Sequence, residues 1–208
     1  MKATAGRSRN PRGEGARLRA EILQGAAEVL DEGGGEEAVT LRAVARRVGI
    51  AAPSIYRHFA DRDQILLAVV QEAFDELKAR LENAVDDAGP DPVAGMLAIG
   101  STYLAFALER PQRYRILFGG LWNAEKAQAN PEIAPAAAQI GMDVFDVMVR
   151  ALQACVDAGA SRSTSVFSDA TALWVGMHGL AQLRPVSPMF PWPEGLLDNM
   201  VRRLALLD

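Results

Sequence analysis

The sequence predicts an all-α chain of nine helices. Apolar residues recur at helical spacing through almost every periodic stretch, cap and stop residues bracket those stretches, and no alternating apolar–polar segment competes with them. The chain has 208 residues, 50% hydrophobic and 23% charged, a balance that supports one packed unit or a small head on a larger body and excludes wholesale disorder.

The first helix covers about residues 14–32, with Ile22, Ala26, Val29 and Leu30 on one face, and is ended by Gly33-Gly34-Gly35. No Gly-Lys-Ser/Thr follows these glycines and no apolar strand precedes them, so they do not form a phosphate-binding loop. Thr40 caps a second helix through Val48, and Gly49 supplies the tight exit. Pro53 suits the first turn of a third helix ending near Phe59. Asp61 and Gln64 form a capping box for a fourth, whose Leu66, Val69, Val70, Phe74, Leu77, Leu81 and Val85 keep helical spacing as far as Gly89-Pro90.

Asp91 and Pro92 open a fifth helix that runs to about Glu109, and Pro111 starts a short sixth ending at Gly119-Gly120. Residues 119–131 read as a loop. A long seventh helix carries Ile140, Val144, Val147, Met148, Ala151 and Cys155 on one stripe and stops at Gly159. Ser161 or Ser163 caps an eighth, striped by Val166, Ala170, Leu173, Trp174, Met177 and Ala181. Four prolines bar continuous helix over 184–193, and a ninth helix spans about 194–207.

Charge is distributed unevenly. Residues 1–60 hold ten Lys and Arg against seven Asp and Glu, while residues 61–208 hold twelve against nineteen. The basic end meets a polyanion or is a solvated tail. A single cysteine, Cys155, excludes an internal disulfide framework and any multi-thiolate metal site, and fits the cytoplasm. No run approaches the roughly 18 unbroken apolar residues of a membrane span, so no membrane partner is expected. The two histidines, His58 and His178, lie far apart in the chain, and no nucleophile–base constellation or metal-ligand set is visible. No enzyme activity and no cofactor are expected.

Two short helices around Gly49, preceded by a supporting helix, form a helix-turn-helix pattern. The small leading residues Ala51-Ala52-Pro53-Ser54 fit a major groove of about 12 Å. Tyr56, Arg57 and His58 supply hydrogen-bond donors, and Ile55 and Phe59 turn inward as anchors.

The run from Thr40 to Phe59 resembles the TetR family of transcriptional repressors: Gly49, Ser54, Ile55, Tyr56, His58 and Phe59 match its hallmark, and Arg62 stands where lysine is usual. Ala51 and Pro53 depart from it. Ala105 to Phe118 and Trp174-Val175-Gly176-Met177-His178-Gly179 resemble elements of that family's effector domains, the second being of the Trp-x-x-x-His-Gly type.

The resemblance implies a three-helix DNA-binding head with its basic arm over residues 1–60, and a helical dimerisation and ligand-binding body over 61–208. It assigns Thr40, Tyr56, His58 and Arg62 to phosphate contacts, and Arg42 and Arg57 to bases or phosphates. Ala52, Pro53 and Ser54 would lie against base edges. Arg46 and Arg47 remain open between a phosphate contact and a solvated face.

The implied partners are a double-stranded operator, an apolar or amphipathic small-molecule effector, and a second copy through the two C-terminal helices, to which Gly176 and Gly179 would allow close approach; the alternative for these glycines is packing within the chain. Tyr103, Phe106, Phe118, Trp122, Phe145, Met148, Trp174, Met177 and His178 are candidate pocket residues, each equally suited to the core; His178 is a satisfied half-buried histidine or a ligand contact. The implied function is a homodimeric repressor released by its effector; the alternative is a helical ligand carrier or enzyme with a vestigial head.

Overall fold

The computed structural model describes residues 14–33 and 35–208. Ten α-helices and two 3-10 segments account for its regular structure among those residues. The head comprises α1 (Glu14–Gly33), a 3-10 turn (Glu36–Ala38), α2 (Leu41–Val48) and a second 3-10 segment (Ala52–Arg57). Its caps are those the sequence predicts. Thr40 Oγ1 accepts from the Ala43 amide at 3.1 Å, and Asp61 Oδ1 accepts from the Gln64 amide at 2.9 Å. Gly49 takes the left-handed conformation at φ 74°, which lets Ile50 N donate to Ala45 O and Gly49 N to Arg46 O, closing the end of α2.

The long helix α3 (Arg62–Asp87) joins the two parts. At about 1.5 Å per residue it is roughly 39 Å long. Its first half, Ile65 to Ala73, is buried in the head's core with Ile22, Leu30, Val44 and Ile55. Its second half, Leu77 and Leu81, is buried in the body's core. Phe74, between them, packs against both.

The body follows as α4 (Pro92–Glu109), α5 (Pro111–Phe118), α6 (Ala124–Ala129), α7 (Ala134–Gln139), α8 (Met142–Asp157), α9 (Val166–Val186) and α10 (Leu196–Leu204). Asp91 caps α4 through the Val93 amide at 2.9 Å. That helix is long and apolar enough to cross a bilayer by length and composition; here it packs against α3, α8, α9 and α10 as the body's central element.

Four expectations are corrected. The stretch 119–131 is not all loop: Asn123 accepts from the Lys126 amide and caps α6. The single seventh helix is broken at Ile140-Gly141, because Gly141 sits at φ 80° and the Phe74 ring lies where a side chain would project, 3.1 Å from a Cβ. The cap of α9 is Ser165, without a side-chain hydrogen bond, and the helix passes Pro185 before ending at Val186. Gly176 serves packing within the chain, since a Cβ there would meet Leu204 of α10 at 2.9 Å, whereas Gly179 faces open space.

Candidate functional site

The third predicted helix forms as a 3-10 segment, Ala52–Arg57. Six residues containing a proline cannot sustain an α-helical ladder, and the amides of Ser54 and His58 bond three residues back, to Ala51 and Ile55, each at 2.8 Å. The period of three sorts the side chains. Ala52, Ile55 and His58 share the inward row, with Ile55 fully buried and the other two half-buried. Pro53 and Tyr56 share an outward row, Tyr56 being 59% exposed. Ser54 is half-buried and Arg57 exposed on the third row.

Thr40, at the head of α2, is exposed, as are Arg42 and Arg46. No carboxylate occurs from Thr40 to Ala60, a stretch with four arginines. One of the four turns away: Arg47 pairs with Glu28 at 2.9 Å and Glu32 at 2.5 Å on α1. Arg62 is held within the head. Its Nε donates to Val39 O at 2.8 Å and its Nη2 to Glu36 O, so the guanidinium holds the turn that precedes Thr40. Two carbonyls of one turn match the spacing of the planar guanidinium fork. Of the basic arm, Arg17 pairs with Glu21 at 3.2 Å and Arg19 lies over the Phe59 ring; Lys2, Arg7, Arg9 and Arg12 lie outside the described residues.

The body holds a second feature, a cavity of about 420 Å³. Phe74 and Leu81 of α3 form one wall, and the Ile140–Met148 segment forms the opposite one. Phe167, Thr171 and Trp174 of α9 close a side, with exposed Phe167 and Met142 at the rim. Of the predicted pocket residues, Tyr103, Phe118, Phe145, Met148 and Trp174 line it. Phe106 does not: it is fully buried beneath Arg80. Met177 is core, against Gly100. Trp122 lies at the junction with the head, beside Glu36, Asp63 and Lys126. Hydrophobicity alone does not separate lining from core: Phe106 and Met177 are fully packed, and Trp122 is half-buried away from this cavity. Phe74, Gly141, Phe167 and Thr171 escaped sequence reasoning because they meet only in space.

His178 lies behind the cavity's inner end. The Tyr114 hydroxyl is 2.7 Å from its Nδ1, and the Tyr103 hydroxyl is 3.4 Å from the same atom and 3.2 Å from Tyr114. Burial lowers the His178 pKa from its usual 6.5 and pushes the Tyr114 phenol up to about 12. The imidazole is therefore neutral in the fold at neutral pH. Because its folded pKa lies below its unfolded value, it contributes stability that is complete above about pH 6.5 and is lost as pH falls toward the lowered value. The facing titratable groups, Tyr103 and Tyr114, do not ionise in that range. Urea unfolding at about pH 7.5 and pH 5.5 should show a loss of stability on acidification that is smaller in His178→Gln; an equal loss in both proteins would place His178 elsewhere.

Polar contacts tie the two parts together. Arg113 of α5 reaches Gln24 at 3.3 Å and Glu76 at 3.6 Å, and Arg115 pairs with Asp31 of α1. Lys126 of α6 reaches Glu36 at 2.8 Å, beside the turn before Thr40. The cavity and the head are thus joined both through α3 and through α5–α6.

Both halves of this arrangement match known families. Residues 22–69 match the bacterial regulatory proteins of the tetR family, and residues 96–205 match the tetracyclin repressor-like C-terminal domain. The chain belongs to the TetR family. Among its relatives in sequence, a Mycobacterium tuberculosis HTH-type transcriptional regulator is 29% identical over 104 residues, covering 49% of this chain and 44% of the relative. The nucleoid occlusion factor SlmA of Vibrio cholerae is 31% identical over 101 residues, covering 49% and 51%. The matched stretch spans about half the length of these curated relatives.

In structure, a protein of unknown function from Rhodococcus sp. RHA1 has a TM-score of 0.72 at 26% identity, covering 90% of this chain and 91% of that one. FadR of Bacillus subtilis, solved in complex with stearoyl-CoA, has a TM-score of 0.71 at 16% identity, covering 89% and 97%. The second likeness is one of fold.

Proposed function

We propose that this TetR-family chain is a ligand-responsive, DNA-binding transcription regulator, a cytoplasmic homodimeric repressor rather than an enzyme. Residues 1–60 act as the DNA-binding head and 61–208 as the effector and dimerisation body, with α3 shared between their cores. The observation that carries the reading is the carboxylate-free stretch from Thr40 to Ala60, which presents Arg42, Arg46, Tyr56 and Arg57 to solvent. Such a face suits a phosphate backbone, while Pro53 and Ser54, flanked by Arg42, suit base edges. Thr40 and half-buried His58 stand at the two ends of this face, with Ala52 beneath it.

A second copy is suited to α9. Val175, Gly179, Leu183 and Val186 fall on one helical stripe, and the three apolar side chains are 57%, 53% and 74% exposed. The outward face of α10 is polar, with Asn199, Arg202 and Arg203, so the apolar part of the contact belongs to α9. A two-fold dimer presents two heads to two half-sites. The effector occupies the cavity and favours a head position that does not fit DNA; it acts only to the extent that it binds that state more tightly.

The test is selection of bound fragments from random genomic DNA, followed by retardation of the selected site. A symmetric consensus is expected, with affinity falling steeply as salt rises. Tyr56→Phe with His58→Ala should weaken all sequences alike. Arg42→Ala should relax preference at particular positions, by about 1–3 kcal/mol of discrimination where it reads a base. Binding no stronger than that of a matched acidic protein would overturn the reading in favour of a ligand carrier.

A further inference from the structure

The cavity is almost wholly apolar, and its residues say which molecules it excludes. Among the described residues, no Lys, Arg, His, Asp or Glu lines it. An anion would shed its hydration and meet no cation in the lining: Lys78, on the same stripe of α3 as Phe74 and Leu81, is paired with Glu82, Arg80 lies over Phe106, and Arg113 reaches Glu72 and Glu76. A primary ammonium would find aromatic faces but no carboxylate in the lining, and that attraction is weaker than the strong hydration a buried ammonium gives up. What remains is a neutral molecule. The walls favour rings, since Phe74, Phe118, Phe145 and Trp174 present edges and faces at varied angles; Phe74 meets Phe118 at 88° and Phe145 meets Trp174 at 72°.

Hydrogen-bonding capacity is confined to a few groups. Thr171 spends its proton on the Phe167 carbonyl at 2.7 Å. Tyr103 is the other lining hydroxyl; it stands at the cavity end of the Tyr103–Tyr114–His178 chain, and the indole N–H of Trp174, also in the lining, donates toward one side of its oxygen. That chain can run in either direction. With the His178 proton on Nε2, Tyr114 donates to Nδ1 and Tyr103 donates to Tyr114, which leaves the Tyr103 oxygen as an acceptor. With the proton on Nδ1, His178 donates to Tyr114, Tyr114 donates to Tyr103, and the Tyr103 proton is released. One tyrosine can therefore meet either a hydroxyl or a carbonyl without any charge being created.

Resting on the reading of this cavity as the effector site, we propose that the effector is an uncharged, ring-containing small molecule with one hydrogen-bonding oxygen held by Tyr103. Tyr114 and His178 are positioning residues that set whether Tyr103 donates or accepts. An acyl-CoA would place only its chain here, because nothing in the lining answers a phosphate.

The experiment uses the full-length protein at neutral pH and calorimetric titration with five probes of one ring system: 2-naphthol, 2-acetylnaphthalene, naphthalene, 2-naphthoate and 2-naphthylmethylammonium. The neutral alcohol should bind about tenfold or more tightly than either charged probe. Tyr103→Phe should bring 2-naphthol to within about a factor of two of naphthalene while leaving naphthalene unchanged. His178→Gln should change the preference between 2-naphthol and the carbonyl-bearing 2-acetylnaphthalene without changing naphthalene binding.

A charged probe that binds as tightly as 2-naphthol overturns the proposal, as does a folded Tyr103→Phe protein that keeps the full preference for the alcohol. Met148→Trp, which fills the cavity, separates the two levels. If it abolishes binding of a favoured charged probe, the effector site stands and the proposed chemistry fails. If it leaves probe binding intact, or if no probe binds the wild type, the effector-site reading fails as well.

Discussion

Ile55→Asp abolishes DNA binding and lowers the thermal midpoint by about 10–15 °C. Ile55 is fully buried in the core that α1, α2 and the first half of α3 share, and it is the anchor of the inward row of the Ala52–Arg57 segment. A carboxylate there has no partner, since the surrounding side chains are apolar. The combined loss of apolar packing and burial of an unpaired charge costs at least about 4 kcal/mol. In a chain of this length each kcal/mol moves the midpoint by about 2–4 °C. Ile55→Val removes only one methylene group, should cost about 1 kcal/mol, and should retain binding. Thermal unfolding followed by circular dichroism, together with retardation of the selected operator, checks both variants. Operator affinity near wild type in Ile55→Asp would show that the segment is not anchored through this residue.

Phe74→Ala separates ligand binding from DNA release. The Phe74 ring touches the head's core, the body's core and the cavity, and it lies against Gly141 where the α7–α8 connection bends. It is half-buried, so truncation should cost about 2–3 kcal/mol, less than the 3–5 kcal/mol of a fully buried phenylalanine. The larger effect is on coupling. Effectors typically change a second affinity by about 5- to 150-fold; without the ring, an occupied cavity keeps only Leu81 on α3, which packs in the body's core and not the head's, and the factor should fall toward one. Operator affinity measured with and without saturating 2-naphthol gives that ratio directly. A ratio unchanged from wild type would move the transmission to the Arg113, Arg115 and Lys126 contacts of α5 and α6, which can be removed in turn.

Features set by neighbours in sequence were legible before the fold. Thr40, Asp61 and Asp91 satisfy amides two or three residues on, and Gly49 relieves a local backbone conformation; each is decided within one turn. The exposed face of the head was legible for a related reason, since its small, hydroxyl-bearing and basic residues sit on adjacent turns. The path of Arg62 was not. A cation next to a phosphate-binding pattern reads as another phosphate contact, and only the return of the chain places the carbonyls of Glu36 and Val39 within its reach. The break at Ile140-Gly141 was hidden because the apolar stripe continues across it, although the backbone there yields to a ring 67 residues earlier in the chain.

The sequence alone therefore determined the helical class, the placement of most caps and the carboxylate-free basic stretch, all properties of periodicity and composition. The tertiary structure decided which apolar residues border empty space. Phe106 and Met177 are as apolar as Phe118 and Met148, yet the first two meet packed neighbours and the second two meet a cavity; Trp122 is as aromatic as Trp174, yet it lies half-buried at the junction with the head. The physical reason is that close packing is a relation among several helices at once: a side chain carries its own volume and polarity in its identity, but not the volume its neighbours leave unfilled.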